Sequence, residues 1–188
     1  MGGREAFIGK LDSLFVADSS LEGELVSADI SGLIGQYAHG NEPSHHIIHF
    51  YNYVGQPWRT QELVDEYCRR FISTIRTGFR VMKTVGRCRH GMYWRQPAYI
   101  PLVRRQRATK SLAPVFDEVR IRLDSDYFKG KEFVVRTRNN SKTNCYIQRA
   151  RLNGKEYDKC YIDFKDIVAG RTLELIMGDT PGTSLKNN

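Results

Sequence analysis

Acid is missing from the middle of this 188-residue chain: between Glu66 and Asp117 there is no Asp or Glu. That gap governs how the net charge of +8 is read. Ten Lys and Arg stand between Ser73 and Ser111, from Arg76 to Lys110, and removing them from +8 leaves the rest of the chain at −2. A uniformly basic protein points to an anionic partner; here a mildly acidic chain carries one basic block. Long apolar runs are also missing, so no segment is expected to span a membrane, and Met1-Gly-Gly-Arg-Glu-Ala-Phe is no signal peptide. Cysteine is sparse. Cys68, Cys88, Cys145 and Cys160 form no Cys-x-x-Cys pair, which indicates neither a zinc site nor a disulfide framework and leaves the compartment unread.

What is present falls into three parts. Residues 4–17 place Phe7, Leu11, Leu14 and Phe15 at helical spacing. Ile30 to Tyr37 reads as a short helical patch, with Gly40 as its C-cap. A helix starting at Thr60 as cap carries Leu63, Val64, Tyr67 and Phe71 on its apolar face. From Ser73 to Ser111 neither the helical nor the strand period persists. Beyond Pro114 the alternation of strands takes over at Val115–Leu123, Glu132–Thr137, Asn144–Leu152, Tyr157–Ile162 and Thr172–Met177. Asn153-Gly154 marks a hairpin, Phe164–Val168 a helical turn, and the polar residues from Thr180 a fraying tail.

The densest chemistry lies between Gly40 and Trp58, in Gly-Asn-Glu-Pro-Ser-His-His-Ile-Ile-His-Phe-Tyr-Asn-Tyr-Val-Gly-Gln-Pro-Trp. Pro43 suits a first helical position and Asn41 a cap. A helix from Ser44 puts His45 and His49 on one face and His46, Phe50 and Tyr53 on its neighbour. An imidazole edge beside an aromatic edge suits a sugar or metal pocket, and equally suits a core of hydrogen-bonded His and Tyr. Tyr51, Tyr53 and Trp58 are open to the same two readings. His-His-x-x-His has no general-base glutamate between its ligands, so it is not a metalloprotease motif.

The literal string Gly-Asn-Glu-Pro-Ser-His-His, followed by Tyr-Asn-Tyr-x-Gly-Gln-Pro-Trp-x-Thr-Gln, resembles the signature of glycoside hydrolase family 92, the calcium-dependent exo-α-mannosidases. The segment from Met1 to Gly40 is similar to the helix pair before that signature. Ser111 to Val119 and Asn140 to Gly154 are similar to the family's closing strands. Members are several hundred residues long, so the resemblance implies a C-terminal quarter that begins inside an (α/α)6 barrel. It implies inverting removal of terminal α-mannose from glycans, with a calcium ion helping to distort the sugar. Matched to the motif, Asn41 and Glu42 lie near calcium and the terminal sugar, His45 and His46 shape that wall, and His39 approaches the next sugar. Gly40 departs from the glutamate associated with α-1,2 linkages. The family's general acid falls before Met1, and secretion is implied for the parent enzyme.

The basic block departs from the family completely, and the genetic code offers a reason. Where family 92 carries Gly-Asn-x-Asp-x-Gly-Gln-Met-Ser-Ala-Trp-Tyr, this chain runs from Arg80 to Trp94 without an acid. Back-translated from Ser73 and read from the third base of each codon, it permits Gly-Asn-Glu-Asp-Cys-Gly-Gln-Met-Ser-Ala-Trp-Tyr-Val-Leu. Some letters are forced: Met82-Lys83 gives only Glu, Met92-Tyr93 only Val, and Tyr93-Trp94 only Leu. The same frame permits Tyr-Glu-Ile-Ala-Ser-Pro just before Val115. Two compensating frameshifts, near residues 71–73 and 111–114, account for the block.

The expected architecture is therefore α+β: part of an (α/α)6 barrel over 1–72, an out-of-frame basic segment over 73–113, a small antiparallel, sandwich-like β module over 114–180, and a tail over 181–188. The expected activity is that of an α-mannosidase piece without its acid or base, since the base carboxylates belong to the out-of-frame motif. Mannose-containing glycan is the expected partner, with no nucleic acid and no membrane span. Two rivals stand beside it. A carbohydrate-binding remnant would bind mannose without turnover. A nucleic-acid module would clamp phosphates with the basic block and stack bases on Phe79, Tyr93, Trp94 and Tyr99, though no RNP, zinc-finger or helix-turn-helix pattern accompanies it.

Overall fold

A computed structural model describes residues 2–20, 33–38, 44–75, 99–100, 108–111, 114 and 116–186. Helix α1 (Gly3–Val16) forms as its spacing predicts: Leu11 and Phe15 are buried and Phe7 and Leu14 pack beside them. The next element is not the helical patch read from Ile30 to Tyr37. Strands β1 (Leu33–Ile34) and β2 (Tyr37–Ala38) pair antiparallel around Gly35-Gln36. Gly35 sits at φ 59, where a helix cannot continue. A Cβ there would lie 2.5 Å from the Leu14 carbonyl oxygen, so the hairpin docks flush on α1. Gln36 N–H completes the contact by donating to that oxygen at 2.9 Å.

A 3-10 helix (Ile47–His49) leads into the short α2 (Phe50–Tyr53), and α3 runs from Pro57 to Ile75. The signature stretch is thus not one helix. Gly55 at φ 72 ends it, and Pro57, whose ring fixes φ and whose missing N–H costs nothing at a helix start, begins the next. Thr60 consequently lies within α3 and is not its cap.

Beyond α3 come β3 (Tyr99–Ile100), β4 (Ala108–Ser111), β5 (Glu118–Arg122), β6 (Glu132–Arg138), β7 (Tyr146–Leu152), β8 (Lys155–Glu156) and β9 (Tyr161–Asp163). Helix α4 (Phe164–Val168) and β10 (Thr172–Gly178) follow. A five-stranded sheet has the order β5-β6-β10-β7-β8, and a three-stranded sheet has the order β3-β4-β9. The chain is α+β as expected. Most pairings are antiparallel, but β10 lies parallel to β6, with Thr172 opposite Val134 and Ile176 opposite Arg138. The alternation along β10, which buries Leu173, Leu175 and Met177, is the same for either kind of neighbour. Asn153 and Gly154 make the foreseen tight turn, at φ 50 and 78. The stretch read as one strand from Tyr157 to Ile162 is broken between β8 and β9.

The described residues after Thr180, 181–186, are anchored rather than frayed. Leu185 is buried, Lys186 N–H donates to Asp158 O at 2.6 Å, and Ser184 Oγ donates to Gln148 O at 2.5 Å. One apolar cluster joins Leu11, Phe15, Tyr37, Ile48, Tyr51 and Leu63 of the helical part to Phe133, Ile147, Leu175 and Leu185 of the sheet. Among the described residues the two parts therefore share a core.

Candidate functional site

The signature segment is held from below by four polar contacts. Tyr51, fully buried, donates its hydroxyl to Asp12 Oδ1 of α1 at 2.7 Å. Burial first, then that carboxylate, pushes the phenol well above its ordinary range. Arg59, which also interacts with Tyr51, pairs with Glu62 at 2.7 Å, one turn along α3. Thr60, also fully buried, donates to Ile48 O at 3.0 Å, tying α3 to the 3-10 helix. Gln61 accepts the backbone N–H of Ile147 from β7 at 2.9 Å. Thus the Thr-Gln that closes the signature stretch does structural work, fastening α3 to the turn before it and to the sheet beyond.

On top of this frame sit the histidines. His45 is half-buried in the turn ahead of the 3-10 helix, and His46 is exposed. The His46 ring stands edge-on to Phe50, centroids 5.1 Å apart at 70°, and Phe50 in turn lies 5.9 Å from Phe7 of α1. His49 is fully buried, on the core side of the segment. The shared helical face expected for His45 and His49 is replaced by a tight turn that leaves one half-exposed and sends the other inward. Asn52 is buried as well, and its amide finds no hydrogen-bond partner among the described residues. Tyr51 belongs to the packing, whereas Tyr53 is 42% exposed.

Of the residues expected at the site, His39, Asn41 and Glu42 lie outside the described residues, as does most of the basic segment 73–113. His45 and His46 are brought to the surface of one turn, directly after them. Among the described residues no three His, Cys, Asp or Glu side chains are grouped to hold a metal ion, and no helix is long and apolar enough to cross a membrane. The supporting residues Asp12, Thr60 and Gln61 escape a reading by spacing. Thr60 and Gln61 stand in the quoted signature, yet their partners are 12 and 86 residues away.

Comparison with known proteins gives this arrangement a context. The family model for the glycosyl hydrolase family 92 catalytic domain matches residues 1–179. A protein of Arthroderma benhamiae named as an uncharacterized secreted glycosidase is 30% identical over 180 residues, which is 95% of this chain and 21% of that protein. A family 92 α-mannosidase from Bacteroides thetaiotaomicron, solved in complex with mannoimidazole, superposes with a TM-score of 0.81 at 29% identity, over 96% of this chain and 23% of that one. A family 92 inverting mannosidase from the same organism gives 0.74 at 29% identity, over 97% and 25%. The chain spans about a quarter or less of the length of these relatives. It belongs to glycosyl hydrolase family 92.

Proposed function

We propose that this chain is the part of an exo-α-mannosidase that supplies one wall of the sugar site, for terminal α-linked mannose on glycans. The carrying observation is the likeness to a family 92 α-mannosidase in complex with mannoimidazole, which extends over 96% of the chain. On this reading His45 and His46 shape the wall and His39 reaches toward the following sugar. Asn41 and Glu42 offer an amide oxygen and a carboxylate, hard donors of the kind calcium prefers. They fit that ion by chemistry, although it takes six to eight oxygens and most would come from elsewhere. A bound calcium would supply charge and a fixed point for the sugar hydroxyls.

We also propose that the chain as it stands does not hydrolyse mannosides. Glycosidases work with two carboxyl groups flanking the scissile bond, and inverting ones space them to admit a water. The segment that should carry Gly-Asn-Glu-Asp has no acid between Glu66 and Asp117, and its codons permit that motif one frame away. Sequencing the DNA across codons 65–120 tests the frame. Codons that spell the shifted motif support it, and codons that cannot spell it overturn it. A purified 188-residue chain that releases mannose from an α-mannoside would overturn the claim of inactivity.

A further inference from the structure

We propose that Asn139, in the loop between β6 and β7, is the attachment site of an N-linked glycan, taken on when the chain passes through a secretory lumen. Asn139-Asn140-Ser141 is the one Asn-x-Ser/Thr sequence in the 188 residues, and its middle residue is not proline. That triplet is what the glycan transferase of such a lumen reads.

A folded chain can carry the modification only where a bulky polar group has room. This loop provides it. In the sheet β10 lies between β6 and β7, parallel to β6 with Ile176 opposite Arg138, so the loop crosses the C-terminal end of β10 at the rim of the sheet. Asn139 and Ser141 are exposed, as are Lys142 and Thr143, and Asn140 is half-buried.

The loop is closed by groups other than the Asn139 side chain. Asn144 Nδ2 donates to Asn139 O at 2.8 Å. Ser141 Oγ accepts from Thr143 N–H at 3.3 Å and from Asn144 N–H at 3.1 Å. Among the described residues the Asn139 carboxamide makes no hydrogen bond, so a sugar on its nitrogen displaces no contact of the fold. What the turn asks of this position is its backbone, at φ 59, which Asn and Asp accept more readily than other side chains. Aspartate would serve the turn as well. Only asparagine offers an amide nitrogen.

In the transfer, Asn139 Nδ2 bonds to the anomeric carbon of the first sugar of a polyprenyl diphosphate oligosaccharide. The bond from that carbon to the diphosphate oxygen breaks, the diphosphate leaves with the electron pair, and the amide nitrogen gives up one proton. The attached glycan then stands off the rim of the sheet and adds a solubilising cover to it. The proposal is independent of the glycosidase reading, because none of these residues belongs to the signature segment.

Expression of the 188-residue chain behind a cleavable leader in a eukaryotic secretory host decides it. Occupancy is scored by gel mobility and peptide mapping on retained and secreted chain together, so a variant that folds poorly is still counted. The expected result is a mobility shift that an N-glycan-releasing amidase abolishes, with the glycan mapped to the peptide that holds Asn139. Asn139→Asp, which keeps the tolerance of positive φ, and Ser141→Ala both lose the glycan, while Ser141→Thr, which retains a hydroxyl, keeps it. A parent chain without glycan, or a glycan that persists in Asn139→Asp, would overturn the proposal. Urea midpoints of the glycan-bearing chain and of the same chain stripped by the amidase are expected to agree. A lower midpoint with the glycan in place would show that the folded loop does not accommodate it, and would overturn the proposal equally.

Discussion

Gln61 and Ile147 are 86 residues apart in sequence, and inside the core the amide oxygen of one accepts the backbone N–H of the other at 2.9 Å. The contact falls where β7 slips its register against β10: Ile176 faces Arg149, but Met177 faces Ile147. A helix side chain thus meets a sheet at its irregular point. Gln61→Leu leaves that N–H buried and unpaired, which costs about 1–3 kcal/mol. Gln61→Glu retains an acceptor and is expected to lose less at neutral pH. Urea unfolding checks both. An unchanged midpoint for the leucine variant would mean that this link does not hold helix and sheet together.

Thr60 offers a cleaner measurement of the neighbouring contact. Its side chain is fully buried and its hydroxyl donates to Ile48 O at 3.0 Å. Valine has nearly the same shape without the donor, so Thr60→Val is expected to lose about 1–2 kcal/mol. Thr60→Ser keeps the donor and loses only a methyl group, about 1 kcal/mol by area. If the two variants lose equally, packing and not the hydrogen bond fixes this residue.

These contacts mark the limit of what spacing discloses. Phe7, Leu11, Leu14 and Phe15 announce α1 because one face of a helix has a period, and Asn153-Gly154 announces its turn because few residues accept positive φ at both positions. Glu132–Arg138 buries Phe133, Val134 and Val135 in a row, whereas the strand alternation of Thr172–Gly178 is equally plain. Pairing is not. Nothing in the pattern of β10 tells that β6 lies parallel beside it, since the side-chain period is two for either direction. Ile34 and Tyr37 look helical at three apart, and only the packing of Gly35 on Leu14 makes them partners in a hairpin. At the candidate site, family likeness picked out His45 and His46, while Asp12, Thr60 and Gln61 act across distances that no local pattern spans.

Gly35 carries its own prediction. Its backbone is at φ 59, and a Cβ would come within 2.5 Å of Leu14 O and 2.6 Å of the Phe15 carbonyl carbon. Gly35→Ala therefore meets two costs, a left-handed conformation and a clash with backbone that cannot swing aside. Together they are expected to exceed about 2 kcal/mol. The loss should free the hairpin from α1, so Tyr37 and Phe15, whose rings now stand 5.1 Å apart, would separate. Proton exchange at Gln36 N–H, which donates to Leu14 O, reads that release directly. An alanine variant as stable as the parent would show that the hairpin can shift without penalty.

Tyr51 gives the chain a dependence on alkaline pH whose sign follows from its surroundings. Burial and the Asp12 carboxylate raise its folded pKa above the ordinary tyrosine value of about 10. Below about 10 both folded and unfolded chains hold the phenolic proton, and the whole contribution to stability is present. Above it the unfolded chain releases the proton while the folded chain keeps it, so stability falls as pH rises. Tyr146, pushed up to about 12 by burial and by Glu62, and Tyr157, raised by burial beside Asp163, act in the same direction. Tyr51→Phe is expected to lose about 1–2 kcal/mol near neutrality through the missing hydrogen bond to Asp12. Its stability should then decline less steeply than the parent's above about pH 10, because one of the linked protons is gone. Urea midpoints from about pH 8 to 11, with tyrosinate absorbance followed in parallel, separate the two effects. Parallel decline of parent and variant would place the alkaline sensitivity on Tyr146 and Tyr157 instead, and would mean that the Asp12–Tyr51 contact does not resist ionisation in solution.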